Sequence, residues 1–143
     1  MIAARRLSGR ALFVDSSGFF AAATRSDPNH TTARRTLERA ANESTTLITT
    51  NYIIAEAHAL FLSKAGRDAG LRFLRGLEES SLRIVRATVE DEASARAIIY
   101  GYSDKEFSLA DAISFAVMER LGLNVALSFD RDFQRYGFTL ADG

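Results

Sequence analysis

The chain has 143 residues, 18 basic and 18 acidic side chains, two histidines and no cysteine. That length suits one domain burying roughly two-thirds of the surface its unfolded chain exposes. The lack of cysteine excludes a disulfide framework, a thiolate metal site and cysteine nucleophile chemistry, so any bound metal must be held by oxygen or by His30 or His58. Net charge is zero and says nothing about nucleic acid. Sixteen of the basic residues are arginine, a bias that surface composition explains as readily as phosphate recognition. The opening MIAARRLSGR lacks the long apolar core of a signal peptide or membrane span and reads as a short basic extension over 1–10 of a single cytoplasmic domain.

Four short apolar or β-branched runs have strand length: ALFV (11–14), TLIT (46–49), LRIV (82–85) and NVALS (124–128). Between them the periodicity is helical. A helix follows the first strand at DSSGFF, and further helices are expected over about Thr31–Ala41, Tyr52–Leu62, Ala69–Leu77, Val89–Ile99 and Leu109–Leu121. The last has the clearest boundaries: Ser108 and Asp111 resemble a capping box, and Gly122 suits a C-cap. Strands alternating with helices, without a hairpin turn between strands, predict an α/β fold with a central parallel sheet of four to five strands flanked by helices. One proline, no repeat and no low-complexity tract leave no linker, so 1–143 is expected to be one domain. In such sheets ligands gather beyond the C-terminal ends of the strands.

Four carboxylates fall near that rim. Asp15 directly follows the first strand, where it either caps the next helix with Ser16 or Ser17 or binds a ligand. Glu56 is a lone acid within NYIIAEAHALFL, and a buried carboxylate there needs a cation, a metal or water, whereas at an exposed helix edge it needs none. Asp111 lies in the first turn of a helix, where the macrodipole alone favours an acid. Asp130 follows the fourth strand in LSFDRDF; Asp132, two residues on, reads as a solvated or capping acid. What separates these acids from ordinary caps is their convergence on one rim. Two carboxylates about 4 Å apart repel by on the order of 4 kcal/mol at an effective dielectric near 20, so four together call for a cation. An oxygen-only donor set favours Mg2+, with Mn2+ as the alternative, over zinc.

At these residues the sequence resembles the PIN-domain ribonucleases, and within them the VapC toxins of toxin–antitoxin pairs. FVDSSGFFAAA is similar to the first family motif, with Asp15 as the acid and Ser17 as the neighbouring hydroxyl; TNYIIAEAHALF is similar to the second, with Glu56. The stretch YSDKEFSLADAISFAVMERLGLNVALSFDRDFQRYGF resembles the C-terminal half, with Asp104 and Asp111 before the last strand, Asp130 after it, and Ser128 where threonine is frequent. The resemblance implies divalent-ion-dependent hydrolysis of RNA phosphodiesters, leaving a 3′-hydroxyl and a 5′-phosphate. Asp15, Glu56, Asp111 and Asp130 are then catalytic ion ligands, Asp104 is either a further metal-site or outer acid or a merely solvated loop residue, and Ser17 and Ser128 are supporting hydroxyls. It also implies a VapB-type antitoxin and a second copy of the chain as partners; Tyr52–Leu62 and FLRGL (73–77) are contact candidates, although core packing accounts better for most of their side chains. Arg34, Arg35, Arg5, Arg6 and Arg10 are the arginines first in line for RNA phosphates, although solvated helix faces explain them equally well.

Two other readings compete. A phosphoaspartate receiver or phosphatase would use a similar sheet, but the first strand ends in DSSGF and no aspartate follows LRIV. A non-catalytic RNA- or protein-binding module with a degenerate site is the other, and the presence of all four acids weighs against it.

Overall fold

A computed structural model describes residues 9–141. Most of the basic extension, including Arg5 and Arg6, therefore lies outside the described residues. The elements run β1 (Ala11–Val14), α1 (Ser16–Ala23), α2 (His30–Asn42), β2 (Thr46–Thr50), α3 (Asn51–Ala65), α4 (Arg67–Glu79), β3 (Arg83–Val85), α5 (Val89–Gly101), α6 (Leu109–Leu121), β4 (Val125–Leu127), α7 (Asp132–Tyr136) and β5 (Thr139–Leu140). The expected strands and long helices are present, α6 with the predicted bounds. The sequence reading did not resolve α7 or β5, whose five and two residues are too short to show a period.

All strand pairs are parallel, in the order β3-β2-β1-β4-β5. β1 is central, and its alternation divides the core. Phe13 points into a cluster with Ile48, Phe115 and Phe133, whereas Leu12 and Val14 point to the opposite face with Ala40 and Leu127. Phe115 stands at the middle of an aromatic group, edge-on to Phe107 and Phe133 and stacked on Tyr136 at 4.5 Å between centroids. A third cluster, Phe20, Phe61 and Ala69 with Phe73, fastens α1 to α3 and α4.

α6 is buried on nearly every side, from Asp111 to Met118, because it lies between the sheet and α5. An acid in its first turn is thereby carried into the interior. The α5–α6 contact is fixed by Arg120, whose guanidinium donates twice to the buried Asp91 carboxylate at 2.9 and 2.8 Å. Asp91 also completes a capping box with Thr88 at the start of α5.

The strand order reverses between β1 and β4, since the chain leaves β1 toward β2 and β3 on one side and later returns to β4 and β5 on the other. A crevice opens beyond the strand ends at such a point. Here α1 approaches β4 so closely that a Cβ on Gly18 would lie 2.5 Å from the Leu127 carbonyl oxygen. The same carbonyl accepts the Asp15 backbone N–H at 3.1 Å, so the β1–α1 corner is tied to the end of β4.

Candidate active site

Asp15 leaves β1 at the switch point and occupies the N-cap position of α1 without making a side-chain cap. Its carboxylate is used otherwise. Oδ2 accepts from the hydroxyls of Ser17 and Ser128, both at 2.9 Å, while Oδ1 is buried without a hydrogen-bond partner. Ser17 does not cap either: its hydroxyl accepts the Phe129 N–H at 2.9 Å, and Ser128 Oγ accepts the Asp130 N–H at 3.0 Å. The two serines thus lock the first and fourth strand ends around one carboxylate oxygen and leave the other free.

Glu56 reaches the same place from α3. Thr50 ends β2 and caps α3 by accepting the Ile53 N–H at 3.1 Å, which brings Glu56 in from the second turn. There it accepts a hydrogen bond from the Ser16 hydroxyl. Asp111 enters from α6, whose cap is the expected one: Ser108 accepts the Asp111 N–H at 3.1 Å. Asp130 follows β4, and its Oδ1 accepts the Asp132 N–H at 2.9 Å.

Asp111 and Asp15 feel the charges of the neighbouring acids. Burial pushes Asp111 up to about 7, reinforced by the charges of Asp130, Asp15 and Glu56 in that order. Asp15 is also raised, first by burial and in small part by Glu56, against the lowering effect of the Ser17 and Ser128 hydroxyls. A site in which Asp111 and Asp15 resist ionisation and whose most buried carboxylate keeps an unsatisfied oxygen is suited to a cation. The donor set is carboxylate and hydroxyl oxygen only, as a hard divalent ion requires.

Two positions differ from the sequence-based expectation. Asp104 lies in the loop between α5 and α6, its side chain 74% exposed and bonded to Lys105 at 2.9 Å, and the fold does not bring it to the other acids. Asp132, expected to be merely solvated or capping, is turned inward at the start of α7. Carboxylate oxygens of Asp111, Asp130 and Asp132 all lie within 4.8 Å of one another. The signal available in the sequence was the D-x-D spacing after a strand, which becomes informative only once the short α7 is known. Neither histidine joins the acids: His30 Nδ1 lies 2.8 Å from the Ala21 carbonyl oxygen, and His58 packs against Gly70 of α4.

A parallel sheet in this order with acids gathered at its switch point places this chain among α/β proteins with a carboxylate-lined cleft at the strand ends. The PIN domain family model matches residues 12–139, nearly the whole chain, and the protein belongs to that family. It is 30% identical over 127 residues to the 23S rRNA-specific endonuclease VapC20 of Mycobacterium tuberculosis, covering 89% of this chain and 95% of the relative. It is 24% identical over 120 residues to Ribonuclease VapC26 of the same organism, covering 84% and 87%. The crystal structure of VapC20, described as a Sarcin-Ricin loop cleaving toxin, superposes with a TM-score of 0.82 over 90% of this chain and 96% of that one. VapBC2 from Rickettsia felis, solved on a promoter DNA fragment, shares the fold at a TM-score of 0.70 and 11% identity, covering 91% and 96% of the two chains. No helix among the described residues is long and apolar enough to cross a membrane.

Proposed function

We propose that this protein is a divalent-ion-dependent endoribonuclease and the toxin of a VapBC-type pair, acting in the cytoplasm. The observation that carries the reading is the buried Asp15, held by two serines on one oxygen and unsatisfied on the other, facing acids from three further elements. Similarity to VapC20 and VapC26 supplies the reaction class, and 23S rRNA is the first substrate to test.

In this reading Asp15, Glu56, Asp111 and Asp130 hold Mg2+, or Mn2+ in its place. A bound ion would supply an acidified water and charge neutralisation at the phosphate. The protein's own part is positional. Ser17 and Ser128 fix one oxygen of the Asp15 carboxylate and leave the other without a partner. Glu56, oriented by Ser16, is placed to align or deprotonate the attacking water, since its other oxygen is not taken by that hydrogen bond. The α6 N-terminus holds Asp111 in a buried position where ligation would replace repulsion between like charges. Products with a 3′-hydroxyl and a 5′-phosphate are expected. Asp104 stands apart from this assembly.

The antitoxin has a fitting seat. A groove of about 910 Å³ between α1, α2, α3, α4 and β2 is lined by Phe19, Phe61, Phe73 and Leu37, with Arg25, Arg34 and Arg72 among its other lining residues. Such a surface suits an apolar peptide segment flanked by acids. Its lining includes Phe73 and Leu77 of the FLRGL segment, whereas of Tyr52–Leu62 only Phe61 contributes. Charge reversal of Arg25 and Arg72 to glutamate is expected to weaken antitoxin binding in a titration. A second copy of the chain is the other expected partner, and light scattering would register the dimer.

Incubating purified, antitoxin-free protein with total RNA and intact ribosomes, and mapping 5′ ends, tests the function. Discrete cuts with Mg2+ or Mn2+ and none with EDTA are expected. Metal-independent cutting would contradict the ion's role, and no cutting of any RNA would contradict the nuclease.

A further inference from the structure

An RNA backbone and the acid cleft carry charge of the same sign. Asp111 is raised to about 7 by burial and then by the charges of Asp130, Asp15 and Glu56. The chain as a whole is neutral and supplies no long-range attraction for a polyanion. Affinity for the backbone must therefore come from cations standing close to the acids. α7 places two arginines there. Arg135 is held by Asp132 at 2.9 Å. Arg131 lies between Asp130 and Asp132; both acids are half-buried, whereas Arg131 is exposed. It makes no ion pair or side-chain hydrogen bond among the described residues. A guanidinium one residue from two carboxylates that pairs with neither is turned away from them, toward solvent at the lip of the cleft.

A second observation comes from the facing element. Carboxylate oxygens of Asp111, Asp130 and Asp132 lie within 4.8 Å of one another, so the start of α6 meets the start of α7 across these acids. Leu109, the first residue of α6 and two positions before Asp111, is 48% exposed. Its side chain contributes little to the core and offers apolar contact beside the charged cleft, of the kind that the face of a ribose or an unstacked base takes. We infer that Arg131 and Leu109 form a nucleotide seat at the α6–α7 lip. Arg131 takes a backbone phosphate of single-stranded RNA beside the bond being cut, and Leu109 takes the adjoining ribose or base. The inference rests on the ribonuclease reading above and adds to it two side chains that hold substrate. Neither is an ion ligand. The two contacts also differ in kind: a guanidinium on a phosphate releases counterions and adds about 0.7 to the salt slope for a single strand, whereas an apolar contact adds nothing to it.

Fluorescence anisotropy of a labelled single-stranded RNA, titrated with protein in EDTA at several KCl concentrations, reads both quantities. EDTA stops ion-dependent cutting during the titration, and thermal unfolding checks the fold of each variant. Arg131→Ala is expected to bind about twofold to tenfold more weakly and to lower the slope of log affinity against log salt by about 0.7. Arg131→Lys should keep the wild-type slope. Leu109→Ala should bind about twofold to fivefold more weakly with its slope unchanged. Arg67→Ala, at an exposed position beyond the far end of α3 from the strand-end rim, should match wild type in both. An Arg131→Ala that loses no more affinity or slope than Arg67→Ala would overturn the phosphate contact, and a Leu109→Ala of unchanged affinity would overturn the apolar one. Wild-type protein that binds no RNA at any salt would remove the ribonuclease reading and this inference with it, whereas RNA bound equally by wild type and both variants overturns this inference alone.

Discussion

Single side chains carry the site's chemistry in ways that can be isolated. Ser128 and Ser17 each donate to Asp15 Oδ2, and their hydroxyls favour its ionised form. Removing either leaves the carboxylate buried with less support, so Ser128→Ala is expected to lose about 10- to 100-fold in metal affinity or cleavage, the usual cost of losing a hydrogen bond behind a ligand. Kinetics at saturating and limiting Mn2+ would show the loss, and unchanged values at both would contradict the role. Gly18 is required by space rather than by conformational freedom. Its missing Cβ would press on the Leu127 carbonyl at 2.5 Å, and backbone cannot move aside cheaply. Gly18→Ala should cost about 1–3 kcal/mol in urea unfolding, as overpacking typically does, and should also disturb the corner that aims Asp15. At this scale much was legible in the sequence. Asp15, Asp111 and Asp130 stood out because each sits at a strand end or helix start, and Glu56 because it interrupts an apolar stretch. Asp104 and Asp132 were harder to rank, since both are loop-adjacent acids. What separates them is that Lys105 holds one outward whereas a five-residue helix turns the other inward.

Among the elements, the α5–α6 pair shows how an ion pair supports a site it does not touch. Asp91 meets a raising effect of burial that is outweighed by Arg120 and Thr88 together, so its carboxyl is held below the ordinary value of 3.8. A depressed folded-state value means that the stabilisation is present above pH 3.8 and is lost as pH falls through the lower folded value. Arg120→Ala leaves Asp91 buried and unpaired and is expected to cost about 3 kcal/mol, the low end for a broken buried pair because Arg120 is partly exposed. Unfolding midpoints measured from pH 3 to pH 7 should show the loss and its decline toward the acid end. A cost that is constant with pH would contradict the ionic origin. The long helices were readable from their period and caps, Ser108 and Gly122 on α6 most plainly. By contrast, β5 has two residues and gains its identity only by pairing with Val125 and Ala126, a tertiary fact that no local pattern carries.

In the whole molecule, the acid cluster costs stability that an ion would restore. Asp111 is raised from 3.8 to about 7, and Asp15 is raised as well. Between those values the folded state holds a proton on Asp111 that the unfolded chain has released, so metal-free stability falls as pH rises from about 4 to about 7. Added Mg2+ should therefore raise the melting temperature more at pH 8 than at pH 5, because at the lower pH protons already relieve the repulsion. An equal shift at the two pH values would place ion binding elsewhere. The strand order explains why acids so far apart in the chain meet: β1 and β4 lie side by side although Val14 and Leu127 are separated by most of the sequence, and their C-terminal ends deliver Asp15 and Asp130 to one crevice.

The most direct test of the central claim is RNA cleavage by wild type and Asp15→Asn side by side, with Mg2+ or Mn2+ and with EDTA, after matching their melting temperatures. The account predicts ion-dependent cleavage by the wild type and none detectable by the folded variant. Wild-type-level cleavage by Asp15→Asn under the same conditions would contradict it.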